Sequence, residues 1–229
     1  MIEFENVKVS YDLPGGDRRV VFDRLSLFIH RGEFVYVVGP TGSGKSTLLK
    51  MLYMDVKPEA GHVRIADHRS DRMKAIDVPF LRRSLGIVFQ DFQLLPDRDV
   101  YENVAFPLYV TGRNAKDIRN RVMHVLSWVG LAHKRRRLPH ELSGGEQQRV
   151  VIARAIVNEP YVMLADEPTG NLDPAVADDI QRLFMNLHGQ GMTIIMATHD
   201  YRIVRKYPSR TLAVVGGQLM EVDPESLSG

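Results

Sequence analysis

Two stretches near the start of the chain alternate between apolar and polar positions. Residues 7–11 and 20–29 show this alternation, which is typical of strands with one buried face. Between them lies the segment DLPGGD, whose proline and glycines favour a turn. The pattern predicts two half-buried strands joined by a turn-rich connection.

Several later stretches are apolar without alternation, which is typical of strands buried on both faces of a parallel sheet. They are EFVYVVG at residues 33–39, PYVMLADE at 160–167 and MTIIMATHD at 192–200, and LGIVFQ at 85–90 is predicted to form a further strand. GHVRIAD, at 61–67, is predicted to form an edge strand. RTLAVVGGQLMEV predicts a closing hairpin that turns at Gly216 and Gly217.

Helical spacing of apolar residues follows several of these strands. It predicts helices over residues 45–54, 114–129 and 175–187. Strands that alternate with helices favour a mainly parallel sheet, here in a single α/β domain over residues 1–229. Residues 91–149 are predicted to form a helical subdomain inserted between 1–90 and 150–229, which form the α/β core with a β subdomain.

Composition narrows the classes of protein that this pattern allows. The chain has 229 residues, no cysteine and a formal net charge of +2. The lack of cysteine excludes a disulfide scaffold, a thiolate zinc site and a cysteine nucleophile, and the small charge gives no indication of direct nucleic-acid binding. The N-terminus does not resemble a signal peptide, and every apolar run is far shorter than the ~20 residues of a membrane helix. We expect a chain that spans no bilayer.

The loop after the third strand carries a complete phosphate-binding motif. GPTGSGKST matches the P-loop pattern and lies between a predicted buried strand and a predicted helix. Its glycines let backbone N–H groups approach a phosphate, while Lys45 reaches the β- and γ-phosphates and Ser46 is placed for Mg²⁺. A glycine-rich turn with an incidental lysine is the alternative. The predicted ATP-binding residues of this loop are Gly39, Pro40, Thr41, Gly42, Ser43, Gly44, Lys45, Ser46 and Thr47.

Other predicted strands end in side chains suited to ATP hydrolysis. Asp166 ends an apolar strand and can hold Mg²⁺, and Glu167 follows it as a candidate to orient and deprotonate water. Gln90 ends LGIVFQ, where its amide can contact Mg²⁺ and the water, and His199 ends MTIIMATH beside the γ-phosphate. The alternatives are solvated strand ends and a structural histidine. The predicted catalytic residues are Glu167, His199 and Gln90, and the predicted metal ligands are Ser46, Gln90 and Asp166.

A second stretch suited to anions lies much later in the chain. LSGGEQQ places Ser143, two glycines and Glu146 at the start of a predicted helix, but without a lysine. With GPTGSGKST and VFQ before it, and VMLADE, NLD and ATHD after it, the chain resembles the nucleotide-binding subunits of ABC transporters over essentially its whole length. LSGGEQQ resembles the signature sequence of that family.

The resemblance implies an ATPase that uses ATP and Mg²⁺. The implied fold is a P-loop NTPase with a RecA-like core, an antiparallel β subdomain and an inserted α-helical subdomain. In such proteins two copies pack head to tail on ATP, so that the P-loop of one faces the signature of the other. Tyr11 would then stack on the adenine, unless it is an ordinary packed tyrosine, and Asp173 would communicate across the dimer. The signature residues acting on the partner's nucleotide would be Ser143, Gly144, Gly145 and Glu146.

Residues 78–108 carry a narrower resemblance, to the FtsE branch of cell-division ATP-binding proteins, which work with the membrane protein FtsX. This implies a chain held peripherally at the cytoplasmic face of the bacterial inner membrane, where it regulates cell-wall hydrolysis during septation. ATPases of lipoprotein-releasing or macrolide-type exporters are the alternative. Soluble ABC ATPases of DNA repair or translation are a more distant one.

Two surfaces carry open hypotheses. The basic run HKRRR, at residues 133–137, is either a solvated loop or a contact for anionic lipid headgroups. By resemblance, a helix of the membrane partner would dock in the groove formed after Gln90. Five apolar residues are either its contacts or ordinary core, namely Phe92, Leu94, Leu95, Tyr101 and Val104.

Overall fold

The computed structural model describes residues 1–227, which form ten strands and seven α-helices. The strands are β1 (Ile2–Asp12), β2 (Arg18–Ile29), β3 (Phe34–Val38), β4 (Ala60–Ile65), β5 (His68–Arg69), β6 (Leu85–Val88), β7 (Val162–Asp166), β8 (Thr193–Thr198), β9 (Arg210–Val215) and β10 (Gln218–Val222). The helices are α1 (Lys45–Leu52), α2 (Val78–Arg83), α3 (Val100–Val110), α4 (Ala115–Trp128), α5 (Gly144–Ile156), α6 (Pro174–Gly189) and α7 (Tyr201–Lys206). Short 3₁₀ turns lie at Ala75–Asp77, Ala132–Lys134, Pro139–Glu141 and Pro224–Ser226.

A six-stranded sheet in the order β10-β9-β3-β8-β7-β6 lies at the centre of the fold. Five of its strands run parallel, and β10 is antiparallel to β9 through the predicted hairpin, where Val215 pairs with Gln218. Every residue of β3 and β8 is buried, which confirms the prediction from their unbroken apolar sequences. Because the strands are parallel, the carboxyl ends of β3, β7 and β8 meet at one edge of the sheet.

The two faces of this sheet pack against different layers. Phe34, Tyr36 and Val38 of β3 contact a core formed with α3, α4, α5 and α6, whereas Val35 and Val37 contact a core formed with α1 and the β1–β2 strands. This alternation follows from the period of two along a strand. The resulting three-layer arrangement positions the carboxyl edge of the sheet between the helices and the second sheet.

The second sheet is antiparallel and has the order β2-β1-β4-β5. β1 and β2 are the predicted pair of half-buried strands, although β1 begins five residues earlier than the alternation indicated, at Ile2. The prediction of an edge strand at 61–67 is wrong, because β4 pairs with β1 on one side and β5 on the other. The two-residue β5 has too few residues to give a strand signal of its own.

The helices agree with the predicted spacing and add elements that it did not predict. α4 and α6 lie at the predicted positions, while α1 ends two residues earlier than predicted, at Leu52. α3 was not predicted individually, and it contains Pro107 within its last turn. α5 continues through residue 149, so one helix joins the two predicted subdomains. The division of the domain at residues 91 and 149 stays a prediction.

Candidate functional site

The loop between β3 and α1 has a backbone that only glycine tolerates at two positions. Gly39 has φ of 148°, and a Cβ there would lie 2.9 Å from Ser43 Oγ. Gly44 has φ of 119°, and a Cβ there would lie 2.7 Å from Val21 Cγ1. Gly44 also precedes α1 without any side-chain cap, so the N–H groups of the first turn point into the loop uncapped. This geometry suits a bound phosphate.

Lys45 turns back over this loop and is only 6% exposed. Its Nζ donates to the carbonyl of Gly39 at 2.8 Å and to that of Pro40 at 3.2 Å. It also lies 3.4 Å from Oε1 of Glu167. A buried ammonium needs such partners because of the cost of desolvation. The ammonium of Lys45 therefore lies beside the loop between β3 and α1. Its present partners are groups that a bound phosphate can replace.

Asp166 and Ser46 fit a magnesium ion. Burial raises the pKa of the Asp166 carboxyl, and a hydrogen bond with the Ser46 side chain lowers it in part. Oδ1 of Asp166 is buried and has no hydrogen-bond partner. Among residues 1–227 no group of three or more His, Asp or Glu residues surrounds a common point. One carboxylate and one hydroxyl, with phosphates and water as the remaining ligands, match the coordination that Mg²⁺ prefers at nucleotide sites.

Glu167 stands immediately beyond β7 and connects two predicted site residues. Its backbone is left-handed, with φ of 48°, and its side chain is buried. Oε2 lies 2.9 Å from Nδ1 of His199 and accepts the backbone N–H of His199 at 3.2 Å. With the contact to Lys45, the structure brings the three side chains of Lys45, Glu167 and His199 together. Their catalytic roles stay predictions.

Gln90 lies in the turn that follows β6. β6 ends at Val88, so Gln90 lies two residues beyond the strand and is exposed; the prediction that it ends the strand is wrong. Its amide nitrogen lies 4.0 Å from the position that a Cβ on Gly170 would take, and its carbonyl accepts a long bond from Asn171. Gln90 therefore lies beside the segment that follows Glu167, and its contact with metal and water stays a prediction.

Tyr11 lies beside the P-loop, together with a residue that sequence reasoning missed. The two strands of the β1–β2 hairpin place Tyr11 opposite Arg19. Tyr11 OH is 3.3 Å from Oγ1 of Thr47, and Arg19 donates to the carbonyl of Gly42 at 2.8 Å. Both line a cavity of about 170 Å³ against the P-loop. The signal for Arg19 was the register of the hairpin across DLPGGD, which sequence alone left undetermined.

The signature residues form a self-capped helix start. Ser143 is the N-cap of α5, its Oγ accepts the N–H of Glu146 at 3.4 Å, and its own N–H donates to Oε2 of Glu146 at 3.1 Å. A Cβ on Gly145 would lie 2.4 Å from Cγ1 of Val176, so this glycine is required by the close approach of α6. Asp173, the N-cap residue of α6, is exposed and its side chain makes no capping bond.

Part of the basic run 133–137 is paired within the chain. Lys134 contacts the carboxylate of Glu146, and this hydrogen bond is the largest cause of the lowered pKa of Glu146. Arg137 donates to Glu141 at 2.7 Å, just before the signature. The solvated-loop hypothesis is therefore incomplete, because two of the basic residues hold acidic residues around α5. Contact of the remaining residues with lipid stays a prediction.

The five apolar residues predicted after Gln90 divide into core and surface. Val104 is completely buried in the core, so of the two alternatives left open for it, ordinary core is the correct one. Phe92, Leu94 and Tyr101 are half-buried and pack on the same core, and Leu95 is likewise half-buried. Exposed apolar side chains occur nearby on α3, at Phe106, Tyr109 and Val110, and on α2, at Phe80.

The P-loop and the signature do not meet within one chain. Among residues 1–227 no hydrogen bond or ion pair joins Ser143 or Glu146 to the P-loop, and neither residue lines the cavity at Tyr11. One chain therefore presents two separate anion-binding surfaces. No helix in the described part of the chain is long and apolar enough to cross a membrane.

Comparison with known proteins gives one family and a consistent set of relatives. Residues 22–170 match the family model described as ABC transporter. The chain is 47% identical over 220 residues to the cell division ATP-binding protein FtsE of Streptococcus pneumoniae serotype 2, covering 96% of this chain and 94% of that protein. It is 47% identical over 219 residues to the protein of the same name from Escherichia coli K12, covering 96% and 97% respectively.

The backbone is similar to solved ATP-binding cassettes. A dimeric structure of MJ0796, a bacterial ABC transporter cassette, matches with a TM-score of 0.88 and 34% identity, covering 99% of this chain and 100% of that chain. A dimeric post-hydrolysis state of the same cassette, bound to ADP and Pi, matches with a TM-score of 0.87 and 32% identity over the same shares.

Proposed function

The chain belongs to the ABC transporter family and is an ATPase, and from that premise we propose that it serves a membrane complex of bacterial cell division, as an FtsE-like subunit. The observation that carries this proposal is 47% identity to cell-division ATP-binding proteins across 96% of the chain. The aligned 220 residues include the segment 78–108, which apart from VFQ lies outside the motifs named above. The partner of the chain would be an FtsX-like transmembrane protein, and the complex would regulate cell-wall hydrolysis.

ATP would bind first to one copy of the chain. The uncapped N–H groups of α1 and Lys45 receive the β- and γ-phosphates, and Tyr11 covers the adenine beside Arg19. Ser46 and Asp166 would hold Mg²⁺, with Gln90 as a further ligand; bound there, the ion neutralises charge on the phosphates. When phosphate draws Lys45 away from Glu167, that carboxylate becomes free to take a proton from the attacking water. His199, already against Glu167, would contact the γ-phosphate.

A second copy would complete each site. The exposed Ser143 hydroxyl, the N–H groups of Gly144 and Gly145 and the positive end of α5 would face the γ-phosphate bound by the other copy, with Glu146 holding the helix start and Asp173 linking the two sites. Converting a mostly open pair into a mostly closed one takes about 5.5 kcal/mol. Charge-assisted hydrogen bonds contribute about 1.5–3 kcal/mol each. Two nucleotides bound between the copies, each gaining one or two such bonds, can supply the free energy of closure, whereas a single nucleotide would barely do so. Loss of the γ-phosphate would reopen the pair.

The docking groove is the surface that would face the membrane partner. We define it as the cavity of about 380 Å³ between α2, β6, α3 and α5, which none of the five apolar residues predicted after Gln90 lines. Its lining residues are Arg82, Arg83, Leu85, Ile87, Phe89, Gln93, Phe106, Pro107, Val110, Arg154, Ala155 and Asn158. Phe106 and Val110 are 46% and 50% exposed and lie one helical turn apart on α3, and neighbouring exposed apolar side chains can mark an interaction site. Docking here would make the chain peripheral to the membrane.

Co-purification tests this proposal. The tagged chain is co-expressed in turn with the FtsX-like protein and with the lipoprotein-releasing membrane subunit of its own organism, and each complex is isolated in mild detergent. We expect retention of the FtsX-like protein, loss of that retention with Phe106→Asp, and stimulation of phosphate release in the complex. Retention of the lipoprotein-releasing subunit alone would contradict the cell-division role and leave the ATPase assignment intact.

A further inference from the structure

A cavity of about 300 Å³ lies between α3, α4 and the segment that follows the turn at Ala132–Lys134. Four residues line it, namely Tyr101, Arg119, Met123 and Arg135, and none of them is acidic. This cavity shares no lining residue with the docking groove or with the cavity at the P-loop. It is therefore a surface that the proposed function does not use.

Two arginines reach this cavity from different parts of the chain. Arg119 lies on α4, one helical turn before Met123, whereas Arg135 belongs to the basic run 133–137. Both are exposed. Among residues 1–227 the guanidinium of Arg119 has no hydrogen bond or ion pair, and that of Arg135 donates to the carbonyl of Ala132 alone, at 3.3 Å. Two like charges at one cavity favour an anion between them.

The position of Arg135 is fixed by the first turn of α3. The N–H groups at the start of a helix have no partner within that helix. Here the N–H of Tyr101 donates to the carbonyl of Arg135 at 2.8 Å. The N–H of Val100 donates to the carbonyl of Arg137 at 2.9 Å. Because these bonds satisfy the start of α3, they hold the backbone of Arg135 beside the cavity.

Tyr101 adds a hydroxyl to the two guanidinium groups. Its ring is half-buried against the core, and its hydroxyl has no hydrogen-bond partner in the described part of the chain. Burial raises the pKa of this hydroxyl, Glu102 raises it further, and the charge of Arg119 lowers it. Arg119 is thus close enough to act on Tyr101. A phenol that keeps its proton can donate a hydrogen bond to an anion.

The carboxylates that act on Tyr101 are engaged elsewhere. Glu102 accepts a hydrogen bond from the hydroxyl of Tyr109 at 3.1 Å and lies 3.9 Å from Nη1 of Arg98. Asp99, which also raises the pKa of Tyr101, is the N-cap of α3 and accepts the N–H of Glu102 at 2.8 Å. Neither residue lines the cavity. The charge of the two arginines is therefore not neutralised by these acids.

The donor set suits a phosphate group better than a carboxylate. A carboxylate has two oxygens in one plane, and the fork of a single guanidinium satisfies it. A phosphate presents more acceptor oxygens around a tetrahedral centre, so two guanidinium groups and a hydroxyl can bind it together. The thioether of Met123 offers an apolar contact for the rest of the molecule that carries the phosphate.

We propose that Arg119, Arg135 and Tyr101 form a binding site for a phosphate group, separate from the nucleotide site. The phosphate is carried by a lipid headgroup or by a soluble phosphate ester, which share the chemistry that this site recognises. The inference goes beyond the proposed function, because it requires neither the membrane partner nor the role in cell division. It also gives a ligand to the residue of the basic run that α3 holds in place.

Removal of each donor tests the site in the purified full chain, with ADP and Mg²⁺ filling the P-loop. The probes are glycerol 3-phosphate, measured by isothermal titration, and phosphatidylcholine vesicles with and without phosphatidic acid, measured by co-sedimentation. We expect Arg119→Gln and Arg135→Gln each to weaken binding at least about 10-fold, and Tyr101→Phe to weaken it several-fold without a change of charge. Arg136→Gln is the matched control, since Arg136 is exposed in the same run but does not line the cavity. It is expected to weaken binding less than about 5-fold, the effect of one basic residue near an anionic surface.

The two probes distinguish the sources of the phosphate. Binding of glycerol 3-phosphate that depends on all three residues supports a soluble ester. Binding only to vesicles that contain phosphatidic acid, with the same dependence, supports a lipid headgroup. Wild type that binds neither probe would overturn the proposal. So would an Arg136→Gln loss equal to that of Arg119→Gln with Tyr101→Phe unchanged, because the basic surface would then act by non-specific charge.

Acetate tests the preference for phosphate. Acetate that binds as well as glycerol 3-phosphate, with the same dependence on Arg119 and Arg135, would overturn the proposal in favour of a carboxylate ligand such as an acidic protein segment. Thermal melting checks that each variant folds. Arg119→Gln carries the test if another variant does not fold, since the exposed Arg119 side chain has no partner to lose within residues 1–227.

Discussion

The N-termini of α1 and α5 both suit an anion, but they differ in what already occupies them. At α1, the N-cap is Gly44, no side chain caps the helix and no acidic residue lies in its first turn. At α5, the N-cap Ser143 and the carboxylate of Glu146 bond reciprocally, which is a complete capping box. One helix start is left open by its sequence, whereas the other is closed by its own side chains.

This difference explains why one start carries a lysine and the other does not. An open start with Lys45 beside it binds phosphate within a single chain. A closed start has to exchange its cap, worth about 1 kcal/mol, for a bond to the nucleotide of about 1.5–3 kcal/mol. The net gain is too small to capture free ATP but large enough to detect a nucleotide that is already held. The comparison therefore assigns binding to α1 and recognition to α5.

The largest expected effect concerns hydrolysis on the α1 side. Glu167→Gln is expected to lower turnover by about 10²–10⁴-fold, because it removes the predicted base while keeping the size of the side chain. ATP binding is expected to remain. Phosphate release and equilibrium binding of a fluorescent ATP analogue measure the two effects, with Glu221→Gln, an exposed acid of β10, as the control. Continued turnover would remove Glu167 from its assigned role.

The next effect separates the two helix starts directly. Lys45→Ala is expected to weaken ATP binding by a single chain about 10- to 100-fold, since it removes a charge-assisted bond to phosphate. Ser143→Ala is expected to leave that affinity unchanged, because α5 acts on the nucleotide of the partner copy. Isothermal titration at low protein concentration measures both, with Lys57→Ala as the exposed lysine control. Equal losses in the two variants would break the comparison.

The packing of α5 on α6 gives a smaller effect on stability. Gly145→Ala places a Cβ 2.4 Å from Cγ1 of Val176, and overpacking of this kind costs about 1–3 kcal/mol of unfolding free energy. Val176→Ala removes the obstructing methyl groups, so the double variant is expected to be more stable than the sum of the single changes indicates. Urea unfolding of the four proteins measures this coupling. Additive losses would mean that the two helices adjust independently.

The smallest effect sharpens the description of the closed start. Lys134→Ala removes the partner of Glu146 and is expected to cost less than about 1 kcal/mol, since the pair is partly exposed. The pair lowers the folded-state pKa of Glu146, so its contribution is present above the ordinary pKa of glutamate and is lost as the pH falls through the folded value. Melting curves of wild type and variant should therefore converge in acid. Arg136→Ala, in the same basic run, should match wild type throughout.

The sequence-based predictions were most accurate for elements whose structure follows from a single local property of the sequence. Unbroken apolar runs predicted β3 and β8, and the glycines at Gly39 and Gly44 stand where the loop has no room for a Cβ. α3 was not predicted individually; a proline such as Pro107 normally argues against a helix interior, but here it lies within the last turn. β4 was placed at an edge because its neighbour β5 has only two residues.

What sequence could not supply was position in three dimensions. Tyr11 and Arg19 are eight residues apart, and only the register of the hairpin brings Arg19 to the P-loop. Val104 and Phe106 lie on one helix, yet one is fully buried and the other is 46% exposed. Helical spacing shows that they face different directions, but tertiary packing decides which face meets the core. The contact of Lys134 with Glu146 depends on how the segment between them folds back, which no local sequence pattern indicates.

The most direct test is the sedimentation of Glu167→Gln with and without ATP and Mg²⁺. If α5 recognises a nucleotide held by another copy, this variant forms a dimer with ATP and is a monomer without nucleotide. Adding Ser143→Arg, which obstructs the start of α5, returns it to a monomer that still binds ATP. A Glu167→Gln chain that stays monomeric when saturated with ATP, alone and with its membrane partner, would contradict the division of binding and recognition between the two helices.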